Sequence, residues 1–136
     1  MATVFLDTNV LLRHLLQDDP EQSMKASAFL ERLEHGELKA RIADTVVFET
    51  VFNLQRRHGV TKAAIRDELL PLIELPAIEL PNKHRLRRVF ELYVDSNISF
   101  ADAYHVALME QLGIEEIATF DRDFDRLPGI RRVEPN

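Results

Sequence analysis

Four carboxylates end or interrupt apolar runs in this chain. They are Asp7 after Val4-Phe5-Leu6, Glu49 inside Val46-Val47-Phe48-Glu49-Thr50-Val51, Asp102 after Ser99-Phe100-Ala101, and Asp121 after Ile117-Ala118-Thr119-Phe120. An ionised carboxylate is costly in apolar surroundings unless a cation or hydrogen-bond donors meet it. If a fold gathers the four, their repulsion at ~4 Å is on the order of 4 kcal/mol per pair near a surface, and a compensating cation is required. Oxygen donors of this kind select a hard divalent ion, and such an ion on carboxylates points to chemistry on phosphate.

Three of the acids have a plain structural role open to them. Asp7 can N-cap a helix that begins at Thr8. Ser99-Phe100-Ala101-Asp102 fits the S-x-x-D capping box, and Asp121, with Asp123 and Asp125 beside it, can be a turn residue. Glu49 fits none of these roles. It falls one residue beyond the box position counted from Thr45, and Val46, Val47, Phe48, Val51 and Phe52 surround it in sequence. Its carboxylate is expected to need a buried partner, with Asn53, one turn on, placed to orient it.

The elements that must position these acids alternate between short apolar runs and helical patterns. Strand signals fall at Thr3 to Leu6, Ala40 to Ala43, weakly at Ala77 to Leu80, within Ile114 to Phe120, and within Gly129 to Val133. Helices are expected from Thr8 through Leu16, from Pro20 to near Gly36, and from Asp44-Thr45 to His58. Further helices run from Thr61 to about Leu75, from Asn82 to about Val94, and from Ser99 to Gly113. The last of these is apolar almost all round from Ala103 to Met109, the mark of a buried helix. Short strands alternating with helices imply an α/β fold with a parallel sheet covered on both faces. In such sheets ligands bind beyond the carboxyl ends of the strands. Asp7 and Asp121 each follow a strand, and Glu49 and Asp102 lie in the first turns of helices that can open onto the same edge.

The chain has 136 residues, which suits one domain with a real core. Apolar residues make up 46% and charged residues 29%, an ordinary soluble balance. Without cysteine there is no disulfide framework, thiolate zinc site or cysteine nucleophile, which fits a reducing cytoplasm. No apolar run approaches the roughly 18 residues of a membrane span. The net charge of -6 argues against nucleic-acid binding by global positive charge but leaves room for a nuclease, because a metal reverses the sign of an acidic cluster locally. Basic residues are grouped at Arg56-Arg57-His58, at Lys83-His84-Arg85 with Arg87-Arg88, and at Arg122, Arg126 and Arg131-Arg132. Of these, Arg122 and Arg126 lie nearest the acids in sequence and are the candidates for contacting phosphate.

Phe5-Leu6-Asp7-Thr8-Asn9, Val47-Phe48-Glu49, Ser99-Phe100-Ala101-Asp102-Ala103-Tyr104-His105 and Ala118-Thr119-Phe120-Asp121-Arg122-Asp123-Phe124 together resemble the PIN domain. More narrowly, they resemble the VapC-like toxin ribonucleases of toxin–antitoxin pairs. The likeness spans the chain, residues 1–136, as one domain. It implies a three-layer α/β/α sandwich with a central, mainly parallel five-stranded sheet, and an acidic pocket for one or two Mg²⁺ or Mn²⁺ ions. It also implies endoribonuclease activity, homodimers, and inhibition by a small cognate antitoxin. Position by position, Asp7, Glu49, Asp102 and Asp121 match the four acids of that pocket, and Asp123 a secondary acidic position. Thr8 and Asn9 match the polar pair that orients the ligands, and Thr119 a supporting hydroxyl.

His105 shares a helix face with Asp102, but hard Mg²⁺ prefers oxygen, so a packed or supporting histidine is expected. Phe100 and Tyr104 are core residues first and base-stacking candidates second. Other phosphate chemistries fit poorly. A haloacid-dehalogenase phosphatase needs Asp-x-Asp-x-Thr, where Asn9 and Leu11 stand here, and a receiver domain needs a late lysine where Ala118-Thr119-Phe120 stands. The rival from another class is a non-catalytic binding module on the same scaffold.

Overall fold

Local chemistry explains where the elements begin and end in the computed structural model, which describes residues 2–136. The apolar triplet before Asp7 is strand β1 (Thr3–Phe5), and α1 (Thr8–Leu16) follows it. Helix α1 ends on Gln17, a non-glycine residue in the left-handed region at φ 54°. The Gln17 amide supports that conformation by donating to the His14 carbonyl at 2.7 Å and to the Ser27 hydroxyl at 3.2 Å. Asp19 caps α2 (Pro20–Glu34), accepting the Gln22 N–H, and proline stands at the first helical position where no N–H is needed. Strand β2 (Lys39–Arg41) leads into α3 (Asp44–Phe52), whose N-cap is Ala43 rather than Asp44.

Helix α3 does not run on to His58 as an α-helix. It passes into a π-helical turn at Asn53–Arg57, in which Leu54 is buried and Arg56 and Arg57 are exposed. Thr61 caps α4 (Lys62–Ile73) through the Ala64 N–H, and β3 (Ile78–Glu79) follows. Lys83 ties α4 to β3, its Nζ donating to the carbonyls of Ile73, Leu75 and Ile78 at 3.3, 2.8 and 2.7 Å. Of these, the Ile73 carbonyl belongs to the last turn of α4, where a helix leaves acceptors unpaired.

Helix α5 spans Arg85–Asp95 and starts three residues later than the sequence pattern suggests, because Asn82 has φ 59° and cannot lie in a right-handed helix. Ser99 caps α6 (Phe100–Leu112), and Gly113 at φ 71° ends it. Only Phe100, Ala103, Val106, Ala107 and Met109 of α6 are buried, so one stripe rather than the whole helix faces a core. Strands β4 (Glu116–Ala118) and β5 (Arg131–Val133) are joined through a 3-10 turn over Arg122–Arg126, where Asp121, Asp123 and Asp125 suggest a turn.

The chain divides into two compact units, Met1–His84 and Arg85–Asn136. The fold is α/β and every strand pairing is parallel, as alternating strands and helices predict. The strands do not form one five-stranded sheet, however. The first unit holds the ladder β1-β2-β3 and the second the ladder β4-β5. Strands of two or three residues carry few hydrogen bonds, and each ladder is completed within its own unit.

β1 is not covered on both faces. It is exposed along its length, Phe5 to 63%, and borders an open groove of about 520 Å³ lined by Val4, Phe5, Arg13, Lys25 and Phe29. The core of the first unit is aliphatic, with Leu11, Ile42, Val47, Ile65 and Leu69 fully buried. That of the second combines aliphatic residues with an aromatic cluster. Phe90, Tyr93 and Phe100 stand with ring centroids 5.0 to 6.3 Å apart in edge and tilted arrangements.

Candidate functional site

In the first unit, Asp7 and Glu49 both leave the carboxyl edge of the β1-β2 ladder. The register pairs Phe5 with Arg41, and the Leu6 N–H extends the ladder to the Arg41 carbonyl at 2.9 Å. Asp7 therefore emerges just past β1, and Glu49 lies in the helix that follows β2. Asp7 occupies the N-cap position of α1, yet its side chain makes no capping hydrogen bond. The structural role open to it is unused, and its carboxylate is exposed.

Glu49 is also exposed, although its neighbours in sequence are apolar, and the buried partner expected for it is present. Val46, Val47, Thr50 and Val51 turn inward, and the 100° step between helical residues leaves Glu49 on the outer side beside exposed Phe52. Its partner is Thr8. The Thr8 hydroxyl, 5% exposed, donates to Glu49 Oε2 at 2.8 Å across 41 residues of sequence. Asn53, the residue expected to orient Glu49, donates instead to the Glu49 backbone carbonyl at 2.8 Å. Asn9 is exposed and borders the β1 groove.

In the second unit, both acids take part in capping, in different ways. Ser99 Oγ accepts the Asp102 N–H at 3.1 Å, which is half of a capping box. Among the described residues the Asp102 carboxylate returns no bond, and it is half-buried. Asp121 is a true cap, its Oδ1 accepting the Asp123 N–H at 2.9 Å, while the Thr119 hydroxyl accepts the Asp121 N–H at 3.0 Å. Asp121 and Asp123 are exposed, and Thr119 is half-buried. His105 is exposed rather than packed. Phe100 is buried in the aromatic cluster, which removes it as a base-stacking candidate. Tyr104 is half-buried, with the Arg85 guanidinium 5.5 Å from its ring centroid and donating to its hydroxyl at 3.0 Å.

None of the four acids is buried, so the desolvation cost anticipated from their apolar sequence neighbours does not arise. Each keeps at least one carboxylate oxygen free of hydrogen bonds among the described residues. The donor set is all hard oxygen, which suits Mg²⁺ or Mn²⁺. Among the described residues no three histidine, aspartate or glutamate side chains are already gathered as a metal cluster.

The arginines sort by partner. Arg88 holds Glu91 and Glu110, Arg131 holds Glu116, and Arg132 holds Asp125 and Glu134. The bonds to Glu110 push the Arg88 pKa up, and those to Asp125 and Glu134 do the same for Arg132. Arg122 and Arg126 are exposed and have no ion-pair partner among the described residues.

The PIN domain family model matches residues 4–130, a span that includes all four acids. A VapC ribonuclease of Aquifex aeolicus is 25% identical over 130 residues, covering 96% of this chain and 95% of that protein. A VapC ribonuclease of Mycobacterium bovis and ribonuclease VapC13 of Mycobacterium tuberculosis are each 27% identical over 139 residues, covering 96% of this chain and 98% of the relative. Among the described residues no helix is long and apolar enough to cross a membrane.

Proposed function

Because the chain belongs to the PIN domain family and is VapC-like over nearly its whole length, we propose that it is an Mg²⁺- or Mn²⁺-dependent endoribonuclease, the toxin of a toxin–antitoxin pair. The observation that carries this reading is the set of four acids at strand ends and helix starts, each with a carboxylate oxygen that local structure leaves free. Asp7, Glu49, Asp102 and Asp121 are the proposed ligands, with Asp123 secondary.

One or two bound divalent ions would supply activation of water and neutralisation of charge on the phosphoryl group. The chain's own residues do the positioning. Thr8, by donating to Glu49 Oε2, fixes the rotamer of that acid, and Thr119, by accepting the Asp121 N–H, fixes the direction of the second unit's acid. Asn9 is the remaining polar group beside Asp7. Arg122 and Arg126 contact backbone phosphates of the RNA as unpaired guanidiniums. With water as the nucleophile, the 2′-hydroxyl is dispensable and the products carry 5′-phosphate and 3′-hydroxyl ends.

The same reading makes the chain one domain over residues 1–136, a homodimer, cytoplasmic, and bound by a small antitoxin. The test is cleavage of total RNA with mapping of the new ends. Metal-dependent cuts lost in Asp7→Asn support the proposal, whereas 2′,3′-cyclic phosphate ends or cleavage in EDTA overturn it. Mn²⁺ binding by calorimetry without cleavage of any cellular RNA would make the chain a non-catalytic interaction module.

A further inference from the structure

Phe120 is 74% exposed in the bend two residues after β4, directly before Asp121. Ile117 and Thr119 are half-buried, while Ala118 and, in the bend after the strand, Phe120 are exposed. The turn that carries it is pinned on both sides. The Thr119 hydroxyl accepts the Asp121 N–H, Asp121 caps the Asp123 N–H, and Phe124 anchors the turn at 4% exposure. One phenylalanine of the segment therefore holds the turn to the core, and the other is presented to solvent.

Around the exposed ring the turn is charged rather than apolar: Asp121, Arg122, Asp123, Asp125 and Arg126. A protein-docking patch wants contiguous apolar area, and this turn does not provide it. A lone aromatic face with unpaired guanidiniums beside it suits a nucleobase on the ring and a phosphate on the cation, the combination by which single-stranded nucleic acids are held.

We propose that Phe120 is a base-stacking platform that takes a nucleobase of single-stranded RNA one residue from the Asp121 carboxylate. The proposal rests on the ribonuclease reading and adds a residue that positions the strand. It is a binding role, distinct from the acids that hold metal. The loss expected on removing the ring is about tenfold in RNA affinity.

The chain has no tryptophan, so Phe120→Trp introduces a single indole reporter. In an Asp7→Asn background with Mg²⁺, titration with a mixed-sequence single-stranded RNA should quench that indole saturably. Leu112→Trp, exposed at the far end of α6 from Asp102, should show no quenching. Fluorescence anisotropy of a labelled copy of the same RNA reports binding independently. There Phe120→Leu should weaken binding about tenfold, and Phe120→Tyr should retain it. In the cutting enzyme, Phe120→Leu should raise KM more than it lowers kcat. Binding by anisotropy with no quenching at Phe120→Trp, or with affinity unchanged in Phe120→Leu, overturns the stacking role alone and frees the ring for a protein partner. No binding by anisotropy overturns the ribonuclease reading, and the stacking role falls with it.

Discussion

The two units treat acids of the same type in opposite ways. In residues 1–84 the acids are spared structural work: Asp7 sits at an N-cap without capping, and Glu49 is held by a buried threonine from another element. In residues 85–136 the acids are woven into local structure, Asp102 inside a half-formed capping box and Asp121 as the cap of a 3-10 turn. Asp7 can therefore be replaced at little cost to folding, whereas replacing Asp121 also removes a cap. The units differ in their cores as well. The first is aliphatic with a half-buried histidine, and the second combines aliphatic residues with the cluster of Phe90, Tyr93 and Phe100.

The largest effect that sharpens this contrast is Asp7→Asn. RNA cleavage should fall on the order of a thousandfold, while thermal melting stays within about 0.5 kcal/mol of the parent. A melting loss as large as that of a missing cap would break the comparison.

Next comes alkaline unfolding. Burial pushes the Tyr93 phenol from 10.0 up to about 12. Its folded pKa lies above its unfolded one, so the stabilisation is complete below pH 10 and is lost as pH rises toward 12, up to about 3 kcal/mol at 1.36 kcal/mol per unit. Urea unfolding across that range should show the decline, and Tyr93→Phe should flatten it. The first unit should respond at the other end of the scale. Burial lowers the His14 pKa below 6.5 against the raising effect of Glu68, so its contribution is present above pH 6.5 and lost as pH falls.

Thr8→Val tests whether Glu49 depends on its hydroxyl donor. Cleavage should drop by about 10- to 100-fold and return in Thr8→Ser. Unchanged turnover would remove Thr8 from the site. The smallest effect separates the two kinds of aspartate by stability alone. Asp121→Ala should cost about 1 kcal/mol in chemical denaturation through loss of the cap. Asp121→Asn and Asp7→Ala should cost clearly less, and equal losses would erase the distinction.

Much of this could be read from short-range chemistry. Thr61 and Ser99 cap the helices their positions suggest, Asp19 and Pro20 start α2, and Gly113 ends α6, because capping is settled within one turn of chain. Other features were not legible. The left-handed Asn82 that delays α5 and the π turn after Phe52 carry no residue pattern of their own. That Glu49 is exposed was not legible either, because apolar neighbours in sequence are not neighbours in space on a helix.

The chain by itself determined the order and type of the elements, the four acids at strand ends and helix starts, and the family to which they belong. These follow from periodicity, caps and motif order, all local properties. Only the tertiary structure decided that the acids are exposed, that the strands form two parallel ladders, that Thr8 rather than Asn53 holds the Glu49 carboxylate, and that Arg122 and Arg126 stand without ion-pair partners among the described residues. Each of these depends on which side chain meets which across long stretches of sequence, as with the 41 residues between Thr8 and Glu49. No local pattern encodes such a meeting, because it is set by packing.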